Sequence, residues 1–111
     1  MMSRGVPESD WKLFRKLREA ALERFTARTL DELVAVARDT SRTHHERYLA
    51  TWELLRERDK QVARGFDNPG RSRMIEQLAF IHAKGLLEPD DFARFTQATR
   101  ATIEGLVELE R

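Results

Sequence analysis

The sequence predicts an all-α fold: a compact helical bundle of four to five helices with a long N-terminal helix. Three observations carry that prediction. Apolar residues recur at steps of three and four through most of the chain, as one face of a helix requires. Capping and breaking residues stand where this period is interrupted. No stretch alternates with a period of two, and no glycine turn lies between β-branched runs, so a sheet has no support.

The first helix follows from Trp11, Phe14, Leu17, Ala21 and Phe25, with Ser9 or Asp10 available as its cap and Pro7 just outside. Leu30, Leu33, Val34 and Ala37 extend the series to about Asp39. Thr29 and Glu32 have the spacing of a capping box within this run, so a break there is the alternative to one continuous helix. The continuous helix is the reading adopted. Residues 1–8 are expected to be flexible and the whole of 1–111 to form a single domain, since a chain of 111 residues can bury one core but not two.

The second helix opens at Thr43-His44-His45-Glu46, where Thr43 and Glu46 again match a capping box. Tyr48, Leu49, Trp52, Leu55, Val62 and Phe66 share one face, interrupted at Asp59, and are expected to pack inward. Asp67-Asn68-Pro69-Gly70 ends this helix, because proline cannot continue it and Asn-Pro-Gly is turn chemistry.

A third helix is expected to start near Arg71 or Ser72 and to run through Met74, Ile75, Leu78, Ala79, Ile81 and His82 to a terminator at Gly85. Glu88-Pro89-Asp90-Asp91 places a proline and two acids at the opening of a short helix, as the helix dipole favours. Phe92 and Phe95 should face inward. Thr96 can cap a last helix carrying Ile103, Leu106, Val107 and Leu109, weakened by about 1 kcal/mol at Gly105 relative to alanine.

Composition excludes several functional classes. With 41% apolar and 35% charged residues, the chain is too apolar for a disordered tail. The formal net charge of +1 gives no general attraction to polyanions, although the charge is unevenly spread. Residues 1–39 carry eight basic and seven acidic groups, 40–73 eight and five, and 74–111 four and seven. The middle is therefore basic. No cysteine is present, which removes disulfides, thiolate metal sites and thiol nucleophiles. Without a signal-like apolar segment or a run long enough to cross a bilayer, the expected location is cytoplasmic and no membrane partner is expected.

No catalytic, cofactor or metal residue emerges. His44 and His45 precede Glu46, but adjacent helical residues point about 100° apart, whereas paired ligands from one helix come from i and i+3 or i+4. His44 and His45 are read as cap and surface residues, and His82 as a packed or boundary residue. Asp31-Glu32 and Asp90-Asp91 both sit at proposed helix starts, where dipole compensation accounts for them. Phosphate loops, dinucleotide fingerprints, nucleophile elbows and zincin motifs are absent from the sequence. An enzyme is not expected, and neither is a cofactor.

Two surface features remain as candidates. Arg64, Arg71 and Arg73 surround the joint between helices two and three, an order of helix, turn and basic helix start that a helix-turn-helix nucleic-acid reader would use. The long preceding helix, Pro69-Gly70, and the interleaved Glu53, Glu57 and Asp59 count against it. Phe80 is the second feature. Together with Met74, Ile75, Leu78 and Ile81 it makes the apolar surface of helix three too wide for one stripe, so either that helix is central or its spare face meets another protein. A protein partner, including a second copy in a homodimer, is therefore the leading expectation, with nucleic acid second.

The opening Asp10-Trp11-Lys12-Leu13-Phe14-Arg15-Lys16, the turn Asn68-Pro69-Gly70-Arg71, and Gly85-Leu86-Leu87 followed by Asp90-Asp91-Phe92-Ala93-Arg94-Phe95-Thr96 resemble a group of small bacterial all-helical proteins without assigned activity. The resemblance implies an all-helical fold and a bacterial origin, and it carries no functional residues over.

Overall fold

A computed structural model describes residues 5–110 of the chain. Five helices follow in order: α1 (Glu8–Ala37), α2 (His44–Phe66), α3 (Met74–Ala83), α4 (Pro89–Phe92) and α5 (Gln97–Leu109), with no strand among the described residues. The all-α bundle with a long first helix is what the apolar period requires. Helix α1 is continuous through Thr29, whose side chain is buried and whose hydroxyl does not act as a cap.

Helix lengths dictate the overall shape. At about 1.5 Å per residue, the 30 residues of α1 and 23 of α2 greatly exceed the 10 of α3 and 13 of α5. The shorter helices can cover only part of the longer pair. The molecule accordingly measures 60 × 26 × 26 Å. One end is a packed base, and the other is a bare antiparallel hairpin of α1 and α2.

The base holds the core. Trp11, Phe14, Ala21 and Phe25 of α1 meet Phe66 at the end of α2, Met74, Leu78 and Ile81 of α3, and Phe92, Phe95 and Ile103. Phe25, Phe66 and Phe80 form a triangle of rings with centroids 6.2 to 6.4 Å apart, within the range at which tilted aromatic pairs attract. His82 stacks on Phe92 at 3.9 Å between ring centres, at the edge of this core.

Polar anchors close the base. The sequence offers Ser9 or Asp10 as the cap of α1, yet Pro7 occupies that position without a side-chain bond. Asp10 is instead buried and reaches α5: its carboxylate accepts from the Thr96 backbone N–H at 3.0 Å, the Thr96 hydroxyl at 2.7 Å and the Thr99 hydroxyl at 2.6 Å. Three donors satisfy a buried charge that would otherwise be costly. One carboxylate therefore holds the two ends of the chain together.

Helix α3 terminates as its glycine predicts. Gly85 adopts φ +67, and the N–H groups of Leu86 and Gly85 return to the carbonyls of Ile81 and His82, the Schellman pattern. Leu86 is thereby turned into the core. Arg28 of α1 donates to the carbonyls of Lys84 and Gly85, and Arg24 to that of Leu86. Cationic groups thus satisfy carbonyls left free where α3 ends.

Several expectations are corrected. Helix α3 begins at Met74, three residues after Arg71, because Asn68 takes a left-handed φ of 48 and the Gly70 to Met74 segment forms a turn. Leu109 is 83% exposed, because it points away from α3 while its neighbours Leu106 and Val107 pack on the core. Of the expected flexible segment 1–8, residues 1–4 lie outside the described residues, while Val6 packs on the core and Glu8 already belongs to α1. The largest correction concerns α2. Only Val62 and Phe66 of its apolar face join the core, and Tyr48, Leu49, Trp52 and Leu55 are exposed.

Candidate interaction surface

No residue from Leu30 through Arg64 is buried, so the hairpin is a two-helix layer with water on both sides. Its own seam is partly polar. Leu33, Val36, Ala50, Thr51, Leu54, Arg58 and Gln61 are half-buried. At the tip, the Arg47 Nε–H donates to the Ala37 carbonyl at 2.8 Å. Nearer the base, Arg58 holds both carboxylate oxygens of Glu32, at 3.0 and 3.1 Å. This bidentate hydrogen bond keeps the Glu32 carboxyl below its ordinary value and raises the Arg58 guanidinium.

The tip is closed by short-range polar chemistry that the sequence makes legible. The Thr43 hydroxyl accepts from the Glu46 N–H, and the Glu46 carboxylate accepts from the Thr43 N–H, completing the capping box. Asp39 accepts from both the backbone and the hydroxyl of Ser41, which lowers its carboxyl below the usual range.

The larger apolar side chains lie outside that seam. Leu30 and Val34 on α1, with Tyr48, Leu49, Trp52 and Leu55 on α2, are exposed by 44 to 68%. Ala37 and the α2 residues Tyr48, Thr51, Trp52 and Leu55 line a shallow groove of about 440 Å³. Leu30 and Val34 precede Ala37 by seven and three residues, which places them on the same face of α1. The two stripes consequently form one apolar surface on one side of the hairpin. Arg56 lies over the Trp52 ring at 4.8 Å, and His45 stacks with Tyr48 at 6.2 Å.

The residues singled out from the sequence lie elsewhere. Phe80 is 6% exposed, which corrects the idea of a spare aromatic: α3 is the central helix, and both of its sides are covered. Its ring fills the space above Gly65, where a Cβ would come within 2.4 Å of it. The three candidate arginines do surround one joint, but each is engaged within the chain. Arg64 lies 5.6 Å from the Phe80 ring and 3.5 Å from the Glu110 carboxylate. Arg71 pairs with Glu8 at 2.9 Å and lies over Trp11 at 5.3 Å; this hydrogen bond lowers the Glu8 carboxyl and raises the Arg71 guanidinium. Arg73 donates to the Asp67 carbonyl and pairs with Glu76.

His44 and His45 open α2 at the tip of the hairpin, whereas His82 stacks on Phe92 at the edge of the core. Among the described residues no group of three or more histidine, aspartate or glutamate side chains is placed to hold a metal ion, and no helix is long and apolar enough to cross a membrane. Comparison of the chain with protein-family models, with curated proteins and with solved structures finds no match.

The hairpin surface was hidden in the sequence because its residues have the same 3-4 spacing as a core stripe. Two signals did point to it. The helix lengths differ too much for one core to cover them all, and Asp59 divides the α2 stripe into a buried part and an exposed part.

Proposed function

We propose that this protein is a non-catalytic helical interaction module that binds another protein through the apolar face of its α1–α2 hairpin. The carrying observation is the concentration of exposed large apolar residues at one end: six of seven in the described chain, Leu109 being the other, lie on the hairpin. Scattered exposed leucines need no explanation, but a contiguous patch holding tryptophan and tyrosine has the composition of binding hot spots. The non-catalytic reading draws support from the acidic groups with lowered carboxyls. Glu8 and Glu32, near the two ends of α1, and Asp39, in the loop after it, owe that state to Arg71, Arg58 and Ser41 respectively, and those carboxylates do not converge on one cavity.

The test is co-purification from native cells with wild-type protein and with Trp52→Glu and Leu30→Glu variants, before and after nuclease treatment. Loss of an identified protein partner in both variants, insensitive to nuclease, supports the reading. A partner kept by both variants defeats it. Loss on nuclease treatment, together with loss on charge reversal at Arg71 and Arg73, would favour the nucleic-acid alternative and should then fall steeply with salt. The intramolecular partners of Arg64, Arg71 and Arg73 argue for the protein reading.

A further inference from the structure

We infer that the occupant of the hairpin face is a second copy of this chain, with α1 of each copy lying on α2 of the other, so that two hairpins make a four-helix bundle. The inference rests on the reading of that face as an interaction surface. Three features select a second copy as its occupant.

The first is area. Given their fractional exposures and ordinary side-chain sizes, the six residues leave on the order of 600 Å² open to water. Two such faces in contact would bury on the order of 1,200 Å², where specific stable interfaces begin.

The second is shape. Ala27, Leu30, Val34 and Ala37 follow one another at steps of three, four and three along α1, and His45, Tyr48, Trp52 and Leu55 at three, four and three along α2. Both stripes have the knobs-into-holes period. The α1 stripe is built from small and medium side chains and the α2 stripe from large ones. Within one hairpin the Ala37 carbonyl accepts from Arg47 at 2.8 Å, and Tyr48, next to Arg47, shares a groove with Ala37; with Ala37 and Tyr48 taken as one level, Leu30 comes level with Leu55 seven residues further down α1 and up α2, about 10 Å along the axis. Val34 falls level with Trp52. A two-fold axis parallel to the helices preserves those levels and sets Ala37 against the partner's Tyr48, Val34 against the partner's Trp52 and Leu30 against the partner's Leu55. Small then faces large in the Ala37–Tyr48 and Val34–Trp52 layers, as interdigitating cores require, leucine meets leucine in the third, and every neighbouring helix pair is antiparallel. A perpendicular axis would instead stack α1 on α1 and Trp52 near its own copy.

The third is charge. From Arg28 to Asp59 the hairpin carries six arginines and seven acids. A face that meets its own copy cannot hold a large charge of one sign without repelling itself. Near neutrality satisfies that condition, whereas an anionic surface would call for an excess of arginine.

Sedimentation of the full-length chain tests the inference. The expected result is a concentration-dependent species of twice the 13.0 kDa chain mass, accompanied by a blue shift of Trp52 emission that is absent in Trp52→Phe. Trp52→Glu and Leu30→Glu should each raise the dimer dissociation constant by about a hundredfold. Leu109→Glu, which alters the exposed apolar residue on α5, should leave it unchanged. Exchange of sizes is the sharper arm: Val34→Trp and Trp52→Val each weaken association by about tenfold, and the double variant recovers to within about threefold of wild type. Circular dichroism confirms that each variant is folded, with Tyr48→Glu as the replacement should one unfold. A wild-type chain that stays at 13.0 kDa up to about 0.5 mM, a dimer that survives both glutamate variants, or a double exchange that fails to recover overturns the inference. If the wild type is monomeric but its identified partner is lost in Trp52→Glu and Leu30→Glu, only the second copy is refuted; if neither association responds to those variants, the interaction surface itself is refuted.

Discussion

The two tryptophans mark two regions built on different terms. Trp11 in the base is 8% exposed, and Trp52 on the hairpin is 54% exposed, although each occupies a 3-4 apolar stripe. Trp11 belongs to the packed core, with Phe14 of the same helix stacked at 5.9 Å and Arg71 of the α2–α3 turn over the ring. Around Trp52 only the other helix of a two-helix hairpin is near, and its outer face meets water. A helix can bury one stripe against one neighbour; a second apolar stripe needs a third helix, which the base has and the isolated hairpin lacks.

Substitutions can break or sharpen this contrast. The largest expected effect is in the base: Phe14→Ala should cost about 3 to 5 kcal/mol in urea unfolding, as removal of a buried ring does, and Trp11→Ala should behave similarly. Trp52→Ala, measured at a concentration low enough to exclude association, should stay within about 0.5 kcal/mol of wild type. Equal losses at the two tryptophans would remove the distinction between the regions.

Next comes Asp10→Ala, expected to cost about 3 kcal/mol because it strips the Thr96 N–H and two hydroxyls of their shared acceptor. Hydrogen exchange should then speed up at the start of α5 and leave the hairpin amides as they were. Gly65→Ala should be milder. Its new Cβ would displace the Phe80 ring, costing about 1 to 3 kcal/mol, offset by up to about 1 kcal/mol of helix propensity; thermal unfolding reports the net loss.

The smallest effect belongs to the hairpin seam. Because Arg58 holds the Glu32 carboxyl below its ordinary value of 4.5, the unfolded chain takes up the proton first as pH falls. The stabilisation from this pair is complete above pH 4.5 and disappears as pH drops through the lowered folded value. A Glu32→Gln variant should lack that component of the acid unfolding curve, and the change should be small because both groups are solvated. A large loss would mean that the hairpin depends on the pair far more than an exposed seam allows.

Local chemistry made much of the architecture legible. The Thr43–Glu46 box, the Asn-Pro-Gly stop, Gly85 and the proline-led α4 all act within a few residues of themselves, so their outcome does not depend on what packs nearby. Phe80 and Asp10 were misread for the opposite reason. Burial of Phe80 depends on Gly65, fifteen positions earlier, allowing close approach, and the role of Asp10 depends on threonines at the far end of the chain. The three arginines were correctly placed around one joint, but nothing in their spacing revealed Glu8, Trp11, Glu110 and the Asp67 carbonyl as their partners.

By itself the sequence determined the helical class and the main breaks between helices, since period, propensity and caps are properties of neighbouring residues, while it left a break at Thr29 open that the structure closes. Only the tertiary structure decided which of several equivalent apolar stripes is core and which is surface. A stripe acquires that status from how many helices reach its level along the axis, and here α3 and α5 end before they can cover Tyr48 and Trp52.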